Sequence, residues 1–176
     1  MVKISKFLAY LLFFLLMSIV FFPKTNLFYL VEKELAPEKI YISNEKIESR
    51  PFGLDLREAS LSYEGVQSMK VKKIEFLFLL FYNSANIEDI KLSSIIVNYW
   101  PQHIQSCKVE YMLFTPLMIK AIAKGDFGNL RAELALKTKH LKIFLKPSKI
   151  MLQRYKKTLH YFKKLENGEY LYEKTL

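Results

Sequence analysis

The sequence predicts an α+β protein in which a single N-terminal transmembrane helix precedes a mainly antiparallel β domain with two or three short helices. Three observations carry that expectation. The run from Phe7 to Phe22 holds no charge. After residue 38 the apolar residues recur mostly at every second position, the period of a half-buried strand. Turn-forming pairs such as Glu64-Gly65 and Asn167-Gly168 punctuate the chain at strand-length intervals. With 176 residues, 51% hydrophobic and 15% aromatic, the chain has material for one domain with appendages and is excluded from the disordered class. Its one cysteine, Cys107, excludes a disulfide framework and any multi-cysteine zinc module.

Residues 1–6 form a short cytoplasmic start and residues 7–23 the anchor. Phe7, Leu11, Leu12, Phe13, Phe14, Leu15, Leu16, Ile19, Val20, Phe21 and Phe22 supply its apolar surface. At about 1.5 Å per residue the segment reaches the lower limit of a spanning helix, and in lipid only a helix pairs every backbone group. A cleaved signal peptide is the competing reading. The apolar run, however, ends in Val20-Phe21-Phe22-Pro23, without the small residues of a cleavage site. Lys3 and Lys6 place the N-terminus in the cytoplasm by the positive-inside rule. The bulk of the chain then lies across the membrane, which in a bacterium is the periplasm.

Residues 24–38 predict a short juxtamembrane helix capped by Thr25-Asn26 and ending before Pro37, with Phe28 and Tyr29 at headgroup level. Residues 39–146 read as the β-rich domain. Ile40 and Ile42, Leu54 and Leu56, then Leu61 and Tyr63 alternate with polar neighbours, and the change of parity near Glu58 predicts a bulge. A strand follows from about Met69 to Tyr82, whose second half, Phe76 to Tyr82, is apolar on both faces, as in a strand covered twice. Ile87 to Tyr99 and Lys108 to Phe114 supply further strands. The segment from Thr115 to Gly125 carries helix punctuation: Thr at the cap, Pro at the first position, Lys in the last turn and Gly beyond. Leu130 to Leu136 and Lys139 to Lys146 read as an antiparallel hairpin. Residues 147–176 predict a basic helix from Pro147-Ser148 to Asn167-Gly168, followed by an edge strand from Glu169 to Lys174.

The net charge of +10 is unevenly placed. Residues 23–136 carry 14 basic and 14 acidic side chains, whereas residues 137–176 carry 11 basic and three acidic ones. Lys149, Arg154, Lys156, Lys157, Lys163 and Lys164 are the candidate docking face for an acidic protein partner or the anionic bilayer surface, against the simpler reading of a solvated helix face. A nucleic-acid partner is not expected, because the anchor puts this charge in the wrong compartment.

No residue pattern predicts catalysis, a cofactor or a metal. His103, His140 and His160 lack ligand-spaced partners. Cys107 follows His103 by four residues, but on a loop entering a strand. Gly125-Asp126-Phe127-Gly128 matches a GxxG clamp only formally, and Trp100 reads as a core aromatic. The expectation is a non-enzymatic protein.

The Phe22-Pro23 exit, the segment Leu54-Asp55-Leu56-Arg57-Glu58-Ala59-Ser60-Leu61-Ser62-Tyr63, the Thr115-Pro116 pair and the run from Gly125 to Leu145 together resemble the type II secretion system protein N family, distant kin of AsmA-like envelope proteins. The resemblance implies a single-pass inner-membrane subunit of an envelope machine (secretion, type IV pilus-like or flagellar motor assembly) that acts as a scaffold for other assembly subunits. A second implication is lipid handling: AsmA-like and lipopolysaccharide-bridge proteins hold acyl chains in a β groove, and Phe76 to Tyr82 suits such a lining. A chaperone-like or inhibitory partner of one membrane protein is the third reading.

Overall fold

The computed structural model describes residues 2–114 and 117–175, with side chains from residue 4 onward. Helix α1 (Val2–Phe21) contains the apolar run, and Ile4–Phe21 is long and apolar enough to cross a membrane, with none of it buried against the rest of the protein. Pro23 breaks the chain into α2 (Lys24–Leu35), which a short 3-10 turn (Ala36–Glu38) closes.

The rest is one antiparallel sheet. Its strands are β1 (Ile40–Ser43), β2 (Lys46–Arg50), β3 (Gly53–Tyr63), β4 (Val66–Phe78), β5 (Tyr82–Leu92), β6 (His103–Met112), β7 (Met118–Gly125), β8 (Gly128–Ala135), β9 (His140–Pro147), β10 (Lys163–Lys164) and β11 (Tyr170–Thr175). The order is β1-β3-β4-β5-β6-β7-β8-β9-β11-β10, with β2 sharing the β3 edge beside β1. From β3 to β9 each strand pairs with the next in sequence, so alternate connections fall at opposite ends of the sheet. Three small helices interrupt the meander at one of those ends: α3 (Ser94–Val97), α4 (Lys149–Arg154) and α5 (Lys156–Leu159). The mainly antiparallel sheet with a few helices and one apolar N-terminal helix is therefore as the sequence predicts.

Several elements differ. The segment read as a helix before Gly125 is strand β7, hydrogen-bonded to β6 and β8; Thr115 and Pro116, its expected cap, lie outside the described residues. Ile119, Ala121 and Ala123 face one side while Lys120, Ile122 and Lys124 face the other, so two flanking ladders override the helix preference of alanine. Gly125 is no helix cap. A Cβ there would stand 2.7 Å from the His103 carbonyl oxygen, so the residue answers to close packing of backbones.

The strand from Met69 to Tyr82 is two strands, because Leu79, Leu80 and Phe81 form a hairpin tip. The strand from Ile87 to Tyr99 stops at Leu92, where the Ser93 turn opens α3. Helix α2 begins after Pro23 with no side-chain cap, and Phe28 is buried against Leu54 and Leu56. The long basic helix is two short ones, broken at Tyr155, whose backbone (φ −114°, ψ 35°) is not helical. The break lets Met151 and Leu159 both reach the core, where they join Phe127, Leu145 and Ala123. The last strand, β11, is not the edge, since β10 pairs beyond it.

Candidate functional site

Strand pairing assembles a continuous apolar face. Leu54, Phe76, Ala85, Val109, Ala121, Ala132, Ile143 and Tyr172 stand opposite one another in a row that crosses eight strands. A parallel row runs through Leu56, Ile74, Ile87, Cys107, Ala123, Leu130, Leu145 and Tyr170. Directly opposed side chains on one face are near neighbours, so each row is a strip of touching hydrocarbon.

The second row is closed over by the α4 and α5 side: Leu145 is fully buried, and Trp100 packs on Phe127 with ring centroids 5.2 Å apart. Among the described residues, the first row is covered only at its ends. Phe28 of α2 sits over Leu54, and Phe162 meets Tyr172 at 5.6 Å. Between them Ala85, Val109, Ala121 and Ala132 are half-buried. Ala85, Ala121 and Ala132 put small side chains in the middle of the row.

The reverse face is a charge ladder. Lys73 pairs with Glu75 at 2.6 Å, Lys108 with Glu110 at 2.7 Å, and Lys142 with Glu173 at 3.2 Å. These lysines hold the three carboxyls below their usual range through direct hydrogen bonds. One face for water and one for apolar matter is the signature of a sheet solvated on one side.

At the β3–β4 edge the apolar face meets the N-terminal helices in two adjoining clefts. One, of about 290 Å³, is lined by Leu15, Ser18, Ile19 and Phe22 of the anchor segment, by Lys24 and Leu27, and by Phe78, Leu79 and Leu80. The other, of about 180 Å³, continues between α2 and the sheet, past Phe28 and Val31 to Leu54, Leu56, Ile74 and Phe76. Lys24, Leu27 and Phe78 belong to both, so together they make one trough from α1 onto the sheet.

Lys24 is 2% exposed. Its Nζ donates to the carbonyl oxygens of Val20 at 3.0 Å and Phe22 at 3.2 Å, so the ammonium group caps the C-terminal end of α1. Burial lowers the Lys24 pKa from the ordinary lysine value.

The sequence-predicted anchor residues all lie on α1 or directly after it, and Lys6 is exposed on α1; the Lys3 side chain lies outside the described residues. The predicted docking face is divided. Lys149 and Arg154 are on α4, Lys156 and Lys157 on α5, and Lys163 and Lys164 on β10; all six are exposed. His103 is paired with Asp89 at 2.8 Å, and Cys107 points to the other face of the sheet. Among the described residues no group of three His, Cys, Asp or Glu side chains is placed to hold a metal.

The row from Leu54 to Tyr172 was not anticipated as a site. Its signal is present in each strand as alternation, for example Ala121 and Ala123 between Lys120, Ile122 and Lys124, but only register joins the strands into a strip. Comparison with protein families, with characterised proteins and with solved structures finds no significant match to the chain.

Proposed function

We propose that this chain is a membrane-anchored lipid-handling protein, with α1 crossing the bacterial inner membrane and the apolar face of the periplasmic sheet holding acyl chains. The observation that carries this reading is the half-covered row from Leu54 to Tyr172 together with the trough that joins it to α1. An apolar strip of that extent on a sheet otherwise coated with ion pairs is costly to leave in water. Its occupant is apolar and elongated, and the trough leads to it from the side of the membrane helix. The resemblance to AsmA-like proteins agrees with this arrangement. The chain's own chemistry is then binding: the face excludes water, small residues occupy its centre, and no bond is made or broken.

The test is mass spectrometry of the full chain extracted in mild detergent, with a benzophenone side chain at position 109 or 132 irradiated in membranes. Lipid adducts at both positions are expected. Their absence, with adducts at position 13 of the anchor present, overturns the reading.

A second reading, a scaffold subunit of an envelope assembly, has one observation of its own. None of the six basic residues of the predicted docking face forms an ion pair among the described residues, while Glu75, Glu110 and Glu173 of the ladder face are paired. Such charge is available to an acidic partner. Mild cross-linking followed by affinity purification tests it. Recovery of the chain without envelope-assembly subunits rejects the scaffold role and leaves the lipid reading intact.

A further inference from the structure

We infer that three of the hairpin tips at the α1 end of the sheet, those following β4, β6 and β8, enter the bilayer interface as one surface, so that the protein is held to an anionic membrane at a second place besides its anchor helix. The inference rests on α1 crossing a bilayer; it does not require the sheet to hold lipid.

The tips are unusual in composition. The connection between β4 and β5 is Leu79-Leu80-Phe81, the one after β6 begins Leu113-Phe114, and the one between β8 and β9 is Leu136-Lys137-Thr138-Lys139. Phe114 is 77% exposed and Phe81 51%. A hairpin tip in water ordinarily carries polar and turn-forming residues. The tight hairpin turns at the opposite end conform, Glu64-Gly65, Asn167-Gly168, and Asp126-Phe127 with Phe127 buried, whereas the longer helical connections there expose Ile95 and Tyr99.

The three tips are also tied together. The Phe81 and Phe114 rings meet at 5.0 Å, and the Leu113 N–H donates to the Phe81 carbonyl oxygen at 3.0 Å. The Leu136 N–H donates to the Leu117 carbonyl oxygen at 2.7 Å. They therefore present a single apolar rim.

What covers that rim follows from its neighbour. Leu79 and Leu80 line the same cleft as Leu15, Ser18, Ile19 and Phe22, which belong to the last two turns of α1 and the residue after it. At about 1.5 Å per residue, Leu15 lies roughly 9 Å inside the end of that helix. The first tip thus stands beside helix residues at the depth where apolar groups of interfacial proteins settle, about 5–10 Å into the headgroup and acyl boundary. Phe81 and Phe114 continue the rim from it. Lys137 and Lys139, exposed beside Leu136, lay their stems along the boundary and their ammonium groups among lipid phosphates.

The experiment uses the full chain, with Cys107→Ser, reconstituted in nanodiscs containing phosphatidylglycerol. Single labels of an environment-sensitive fluorophore are placed through Phe81→Cys, Phe114→Cys, Phe13→Cys and Asn167→Cys. Quenching by shallow spin-labelled lipid is compared with quenching by aqueous iodide. Lipid quenching several-fold above that at position 167, with shielding from iodide, is expected at 81, 114 and 13. Lipid quenching at 13 with iodide quenching at 81 and 114 overturns the inference and leaves the anchor standing. Iodide quenching at 13 overturns both. Should Cys107→Ser unfold the chain, photo-crosslinking from a benzophenone at position 114, with Cys107 intact, decides by the presence or absence of a lipid adduct.

Discussion

Glu58 on β3 and Asp89 on β5 share a left-handed backbone, with φ of 59° and 53°, and stand at the same level of the sheet. The pairs Arg57↔Lys73 and Ala59↔Val71, then Lys73↔Glu88 and Val71↔Ile90, then Glu88↔Ser106 and Ile90↔Ile104, bracket that level. Each of the four strands from β3 to β6 therefore carries one additional residue there: Glu58, Lys72, Asp89 and Gln105. All four change parity together, and their mutual register is kept. β7 lacks the additional residue, and the register shift appears between it and β6 at Ile104/Ser106. The device keeps Leu54, Leu56, Ala59 and Leu61 on one face, which a plain alternation would have divided between two. It also puts His103 and Cys107 on opposite faces, although residues four apart on a regular strand share one.

A residue with a branched Cβ is poorly accommodated at positive φ. Glu58→Val is therefore expected to lower stability by about 1–2 kcal/mol, read as the denaturant midpoint of the full chain in detergent micelles. Glu58→Gly is expected to hold or raise the midpoint, because glycine takes the conformation freely. Loss of the exposed Lys46–Glu58 pair, 2.7 Å, contributes little in either variant. Equal destabilisation by valine and glycine would show that the ion pair, and not the backbone, matters at this position.

The parity change near Glu58 was readable in sequence because it lies within one strand. Most strands were legible for the same reason: alternation is local, as are turn pairs such as Glu64-Gly65. Misreadings fell where a tertiary partner outvotes a local preference. Thr115 to Gly125 has helix punctuation, yet two neighbouring strands claim its backbone. Tyr155 sits in a helical pattern but breaks it, so that Met151 and Leu159 can both reach the core. Phe76 to Tyr82 reads as one doubly covered strand, yet Leu79, Leu80 and Phe81 turn the chain between β4 and β5, and no Gly, Pro, Asn or Asp marks that turn. The apolar row itself is a property of register among eight strands, which no window of sequence contains.

The turn between β7 and β8 leaves no room for a side chain at Gly128. Its φ is 113°, and an added Cβ would overlap the Lys146 carbonyl oxygen and stand 2.8 Å from the Ser148 nitrogen. Those atoms are backbone held by the β8–β9 ladder and by Ser148, whose hydroxyl oxygen accepts from the Met151 N–H at 3.1 Å. Gly128→Ala is expected to lower stability by about 3 kcal/mol. Gly65→Ala, at φ 79° with nothing within 4 Å, carries only the dihedral cost and is expected to lower it by about 1 kcal/mol. Pulse proteolysis of the two variants beside the parent measures the difference, and equal losses would contradict the crowding at Gly128.

The ladder face makes stability sensitive to acid. Lys108 first, and then the Tyr82 hydroxyl at 2.6 Å, lower the Glu110 pKa; Lys73 does the same for Glu75. A carboxyl whose folded pKa lies below its unfolded value stabilises fully above the unfolded value. That contribution disappears as pH falls through the folded one. The melting midpoint is thus expected to be flat from about pH 8 to pH 5 and to fall below about pH 4.5. In Glu75→Gln/Glu110→Gln the midpoint near neutrality is lower and the acid limb shallower. An acid limb of unchanged steepness in the double variant would assign the transition to other carboxyls.

Cys107 lies in the second apolar row between Ile87 and Ala123, and burial pushes its thiol pKa above the ordinary value. The thiolate is the form that reacts with alkylating agents, and here both its population and its access are reduced. Native full-chain protein at pH 7.5 is expected to take up iodoacetamide at least about tenfold more slowly than the same protein in denaturant. The rate should rise steeply with pH without levelling near pH 8.5. Opening the core by Met151→Ala, which empties a fully buried site packed in the same cluster, is expected to cost about 2–5 kcal/mol and to accelerate alkylation in proportion to the population of the opened state. Alkylation as fast in the native protein as in the unfolded one would mean that the row containing Cys107 is open to water, and would remove the closed side of the apolar face described above.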